Sequence, residues 1–173
     1  MKGRNYRTPR GQPYTRVEYI HGQPTPKISK FVMGTPKEAY DYKVTLISQA
    51  HIQVRHNALE AARIAANKIL TDELGETGYV IHIRVYPHIV LRENKMIATA
   101  GADRLQEGMR RAFGKPTSRA ARIRPDQELI DIYVNENALK LAQRALDQCS
   151  KKLPIACKIV TRKLIEIPKK IAA

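Results

Sequence analysis

The chain is poor in cysteine, in acids and in long apolar runs. Cys149 and Cys157 are its only two cysteines in 173 residues. They form neither a CxxC pair nor a cluster with histidine, so a disulfide framework finds no support and packing among apolar neighbours is their expected role. No run approaches the roughly 18 apolar residues that cross a bilayer. The opening MKGRNYRTPRGQPYTR carries cations but no apolar segment of a secretory signal. A soluble, cytoplasmic protein in a reducing compartment is expected. His21, His51, His56, His82 and His88 show no HxxxH or HExxH spacing for a metal. There is no GxSxG, and no nucleophile can be paired with a base, so the sequence predicts no enzyme, no cofactor, no metal and no small-molecule substrate.

What is abundant is positive charge. Lysine and arginine number 31 against 16 acids, a formal charge of +15. A compact domain with that charge repels itself and favours a polyanionic partner. The 43% hydrophobic content is enough for a core, so the reading is one domain with extensions.

Residues 1–27 form a basic arm, with six cations against the single acid Glu18. Pro9, Pro13, Pro24 and Pro26 forbid a regular helix or central strand. Lys2, Arg4, Arg7, Arg10 and Arg16 are interleaved with Tyr6, Tyr14 and Tyr19, a pattern suited to neutralising phosphates while rings stack on unpaired bases.

The globular part is expected over 28–163. KVTLISQ (43–49) reads as a strand, followed by a helix that Asn57 caps with Glu60 three residues on. Leu59, Ala62, Ala66, Ile69 and Leu70 share one face of it, Arg55 and Arg63 lie on others, and Gly75 and Gly78 stop it. YVIHIRVYP alternates, with Ile81, Ile83 and Val85 inward and His82, Arg84 and Tyr86 outward. HIVLRENKMIA reads as a hairpin turning at Glu93-Asn94, with Lys95 leading out. RAARIR puts Arg122 and Arg124 on one strand face, beside Arg119. ELIDIYV alternates again, Asn135 caps a second helix with an apolar stripe from Ala138 to Cys149, and ACKIVTRK, carrying Arg162 and Lys163, is the last strand before a tail at 164–173. Strand, helix and strand thus occur twice. The expected fold is an α/β (α+β) two-layer sandwich, a mixed β-sheet with two main helices packed on it, plus basic extensions and a long internal loop.

That loop, residues 99–118, is TAGADRLQEGMRRAFGKPTS. It is too long for a hairpin, and connections beyond about 12–15 residues are usually functional or disordered. Its cations are Arg104, Arg110, Arg111 and Lys115. GMRRAFGKPT approaches the P-loop GxxxxGK[ST], but five residues separate Gly108 from Gly114. Pro116 also replaces the magnesium-binding hydroxyl, and no apolar strand precedes Gly108. Nucleotide hydrolysis is rejected. Asp126, Glu128 and Asp131 read as a solvated edge better than as a metal site. His56 and His82, beside arginines, read as phosphate or sugar contacts, with ordinary surface as the blander reading.

Both helices are alanine-rich and lack the bulky anchors of a membrane-surface helix, and no helix-turn-helix, zinc finger or basic zipper is present. Cations spread over arm, strand face, loop and tail suit an irregular RNA surface. KGRNYR with the proline-rich arm, VRHNALEAARIAANK, GYVIHIRVYPH, GADRLQEGMRRAFGKP and KLPIACKIVTRK, in that order, resemble the universal large-subunit ribosomal protein family numbered sixteen in bacteria, in its archaeal and eukaryotic form numbered ten with the suffix e. The resemblance covers essentially the whole chain. It implies an α/β sandwich that binds large-subunit ribosomal RNA beside neighbouring ribosomal proteins. It also implies a loop reaching toward the peptidyl transferase centre and the acceptor end or elbow of tRNA, without catalysis by the protein. Two alternatives remain from the residues alone: a nucleic-acid-processing enzyme using Asp126 or Glu128, and a free-standing regulatory RNA binder.

Overall fold

The computed structural model describes residues 3, 7–9, 11–36, 40–95, 110 and 112–164. Its strands are β1 (Val32–Gly34), β2 (Tyr42–Ser48), β3 (Ile52–Arg55), β4 (Val80–Ile83), β5 (Ile89–Glu93), β6 (Lys115–Ile123), β7 (Glu128–Val134) and β8 (Cys157–Lys163). Its two α-helices are α1 (His56–Leu74) and α2 (Leu139–Lys152). A five-stranded sheet runs β1-β4-β7-β2-β8 and a three-stranded sheet runs β3-β6-β5. Every described ladder is antiparallel.

The two expected strand–helix–strand units are present, and they interlock. The first is β2, α1 and β4, with β3 inserted; the second is β7, α2 and β8. β7 lies between β2 and β4, and β2 lies between β7 and β8. Neither unit can close its own sheet, so each provides the hydrogen-bonding edges the other lacks. The small sheet is built from the connections that leave this frame, through β3 and through β5 and β6.

Alternation decides which face is buried. Val44 and Leu46 of β2, Ile81 and Ile83 of β4, and Ile130, Ile132 and Val134 of β7 join one core with Leu59, Ala62, Ala66 and Leu70 of α1 and Ala142, Ala145, Leu146 and Cys149 of α2. Burying a Leu or Ile side chain stabilises by about 1.5–3 kcal/mol, so this seam is the main source of cohesion. Alanines let the helices approach closely: the Cys149 thiol donates to the Ala62 carbonyl of the facing helix at 3.2 Å. Burial pushes the Cys149 thiol up to about 12 and that of half-buried Cys157 up to about 11, which keeps both as inert thiols at neutral pH.

The helix ends differ in part from expectation. Gly75 stops α1 with φ +66°, and its N–H bonds the Thr71 carbonyl at 3.0 Å. At the other end, α1 starts one residue before Asn57, with Arg55 at the N-cap and no side-chain cap. His56 is pulled inward, and the helix starts where that ring is anchored. Before α2, Asn135 precedes a 3-10 turn, Glu136–Ala138, without a side-chain cap bond. The Glu136 N–H is taken instead by the Asp41 carboxylate at 3.2 Å.

The expected loop is shorter at its C-terminal end, because β6 already begins at Lys115. Pro116 fits there because β3 pairs only with residues 120–123. Where Pro116 sits, β6 has a neighbour on one side alone, and a missing N–H costs no ladder bond. Gly114 has φ +74°, and a Cβ would run into the Glu93–Asn94 backbone. That glycine serves a close strand approach and not a phosphate. The hairpin expected to turn at Glu93-Asn94 is instead a strand, β5, whose Glu93 pairs with Lys115. Residues 96–109 lie outside the described set.

Candidate nucleic-acid interface

The described residues of the arm are bonded to the small sheet at several points. The Gln53 N–H of β3 donates to the Arg7 carbonyl at 2.8 Å, and the Val90 N–H of β5 donates to the Tyr14 carbonyl at 2.9 Å. β3 and β5 are the outer strands of that sheet, so one chain segment is bonded to both of its edges, once at each. Between them Arg122 of β6 donates to the Gly11 carbonyl at 2.8 Å and to Gln53 Oε1 at 3.2 Å. Farther along, Arg119 donates to the Pro24 carbonyl at 2.7 Å and to Gln23 Oε1 at 2.6 Å. Finally the Lys27 N–H donates to His56 Nδ1 at 3.1 Å.

These contacts correct two expectations. Arg119 is only 9% exposed and His56 only 3%. Both anchor the arm and do not stand free for phosphate. Burial, and then the charges of Arg55, Lys27 and Arg119, hold the His56 pKa below its ordinary value. Its Nε2 lies 3.3 Å from the Ser118 hydroxyl, which also accepts from Arg55 Nε at 3.3 Å.

At the base of the long connection, Tyr14 and Phe113 meet edge to face, with centroids 6.0 Å apart. The Arg92 guanidinium stands 4.2 Å from the Phe113 ring centre and 5.6 Å from that of Tyr14. It also donates to the Gly114 carbonyl at 3.0 Å and to the Tyr14 hydroxyl at 3.4 Å. Arg110 and Lys115 beside this cluster are exposed. Arg92 and Phe113 are both absent from the residues expected in a site; a lone arginine inside an apparent hairpin gives no signal, although Tyr14 does as an aromatic among the arm's arginines.

The face of the large sheet away from the helices carries a charge network. Asp131 is fully buried and lies opposite Thr45 of β2 and His82 of β4. Lys43 Nζ reaches Asp131 at 3.0 Å and Glu128 at 3.1 Å. Arg84 reaches both at 3.2 Å, and Arg162 reaches Glu128 at 3.7 Å. The solvated edge expected for Asp131 is therefore corrected: β7 is a central strand, and its carboxylate is covered by cations. Burial lowers the Lys43 pKa, but the Asp131 and Glu128 carboxylates outweigh it and leave the value raised. Hydrogen bonding to Asp131 raises that of Arg84. With Lys43 and Arg84 on Glu128, one of the two acids named for a nucleic-acid-processing enzyme, Asp126 or Glu128, is already paired with protein cations. Among the described residues no cluster of His, Cys, Asp or Glu could hold a metal.

The remaining expected residues are scattered. Arg7 and Arg55 meet Lys152 around a cavity of about 300 Å³ at the start of α1. Arg63 pairs with Glu60 at 2.7 Å on α1 itself. Arg16, Lys95, Arg124 and Lys163 are exposed. Arg124 lies just beyond β6 and not on the strand face with Arg122. Lys2, Arg4, Tyr6, Arg10, Arg104 and Arg111 lie outside the described residues.

Comparison with known proteins decides the family. The family model for ribosomal protein L16p/L10e matches residues 9–160. The chain belongs to this family. A protein of Methanococcus maripaludis is 51% identical over 166 residues, covering 96% of each chain. A protein of Hyperthermus butylicus is 55% identical over 149 residues, covering 86% of this chain and 83% of its own. A third, from Metallosphaera sedula, is 51% identical over 95% of each. All three are named large ribosomal subunit protein uL16. The resemblance drawn from motifs and the fold expected with it are thus borne out. No helix among the described residues is long and apolar enough to cross a membrane.

Proposed function

We propose that this protein is a structural constituent of the large ribosomal subunit, acting in translation by binding ribosomal RNA. The observation that carries the reading is the match of L16p/L10e over residues 9–160, joined to a charge of +15. The arm is tied to the small sheet by hydrogen bonds, and the charge surplus suits phosphates. The exposed cations offered to them are Arg16, Lys95, Arg124 and Lys163. Arg84 and Arg162 are paired with the carboxylates of the sheet face, and His56, Arg119 and Arg122 hold the arm. The connection at 99–118, with Arg104, Arg110, Arg111 and Lys115, extends toward tRNA near the peptidyl transferase centre.

Binding of the full-length protein to large-subunit ribosomal RNA tests the first part. The log affinity should fall with log salt at about 0.9 per neutralised duplex phosphate, and less for single strands. Salt-independent binding contradicts it. For the second part, Arg110→Ala with Arg111→Ala should leave the melting temperature unchanged and impair tRNA binding by subunits that carry the variant. Unimpaired tRNA binding removes the connection's assigned role.

A further inference from the structure

Phe113 is 68% exposed, a high value for a large apolar ring. It is nevertheless held in place. Arg92 stands over the ring at 4.2 Å, Tyr14 meets it at an interplanar angle of 84°, and Gly114 next to it is tied to Arg92 at 3.0 Å. A guanidinium at that distance covers one face. A ring covered on both faces could not remain two-thirds exposed, so the other face is open.

A fixed, open aromatic face backed by a cation, with exposed Arg110 and Lys115 close by in the chain, matches the requirements of a base-stacking site. Stacking uses the π-face that every base has, and flanking cations take the phosphates. Duplex RNA keeps its bases stacked on each other and offers no face to such a ring. We propose that Phe113 stacks on one unpaired nucleobase of RNA, with Arg92 and Tyr14 fixing the ring and Arg110 and Lys115 meeting the adjoining backbone. This rests on the RNA-binding reading and adds to it a single-stranded element at the base of the connection.

The test uses the full-length protein with a single-stranded oligoribonucleotide carrying 2-aminopurine, and a duplex of the same sequence. Phe113→Leu should weaken single-strand binding about 5- to 150-fold and abolish the fluorescence change. Duplex binding, the salt slope, the melting temperature and the protection of the Val90 amide should stay as in wild type. Phe113→Trp should retain both affinity and signal. Wild-type single-strand binding by Phe113→Leu overturns the proposal, including in favour of a protein partner on this ring. Equal loss on strand and duplex, or loss of Val90 protection, also overturns it, by making Phe113 a clasp for the arm. If the wild type binds neither RNA, the RNA-binding reading itself fails, a result separate from a selective failure at Phe113.

Discussion

Tyr14 and Phe113 touch edge to face with centroids 6.0 Å apart, although one belongs to the N-terminal arm and the other to the end of the long central connection. Arg92 lies against both rings. The arm at Tyr14 and the chain at Phe113 are therefore fastened to each other and to β5 at one point.

Arg92→Ala should loosen this point without unfolding the domain. A cation–π contact at an exposed site contributes about 0.5–1 kcal/mol, so the melting temperature should move little. The Val90 amide, whose partner is the Tyr14 carbonyl, should exchange clearly faster, while amides of the α1–α2 core keep their protection. Unchanged exchange at Val90 would show that the arm is held by its other anchors alone.

Lys43→Met should be far more damaging than an ordinary surface change. Asp131 is fully buried, and its Oδ1 has no hydrogen-bond partner among the described residues. Removing Lys43 leaves the half-exposed Arg84 as its remaining cation. Breaking a buried pair costs about 3–5 kcal/mol, and Arg84 puts the expected loss near the lower end. Denaturant midpoints of Lys43→Met and of the exposed control Lys158→Met compare the two; equal midpoints would mean that Lys43 is dispensable.

His56 sets a pH dependence. Its folded pKa lies below the ordinary histidine value of 6.5, so below that pH the unfolded chain binds a proton that the folded chain resists. Stability is complete above about pH 6.5 and is lost as pH falls from there toward the folded pKa. Melting temperature should therefore drop on acidification below that point, with a shallower slope in His56→Gln at a lower overall stability. Parallel profiles for wild type and variant would assign the acid sensitivity to other groups.

The sequence made the frame legible where periodicity was strong. The alternation in residues 80–86 and 128–134 and the apolar stripes of α1 and α2 identified the faces that meet in the core. What stayed hidden depended on contacts without a side-chain signature. The arm is held largely through the carbonyls of Arg7, Gly11, Tyr14 and Pro24, which any residue supplies, so its path over the small sheet could not be read. His56, Arg119 and Asp131 are polar types that normally face water; only the fold shows that each is buried with partners. Pro116 read as loop because proline is excluded from central strands, a rule that β6 satisfies by outrunning β3. On the candidate interface, the chain identifies which residues are cationic, but not which cations are already committed to Glu128, Asp131 or the arm.

The central claim is residence in the large ribosomal subunit, and sedimentation tests it most directly. Tagged full-length protein, expressed in its cell of origin, should comigrate with large subunits on a sucrose gradient. It should remain there at about one copy per subunit after a high-salt wash that strips loosely bound basic proteins. Recovery at the top of the gradient, with washed subunits lacking the protein, would contradict the account.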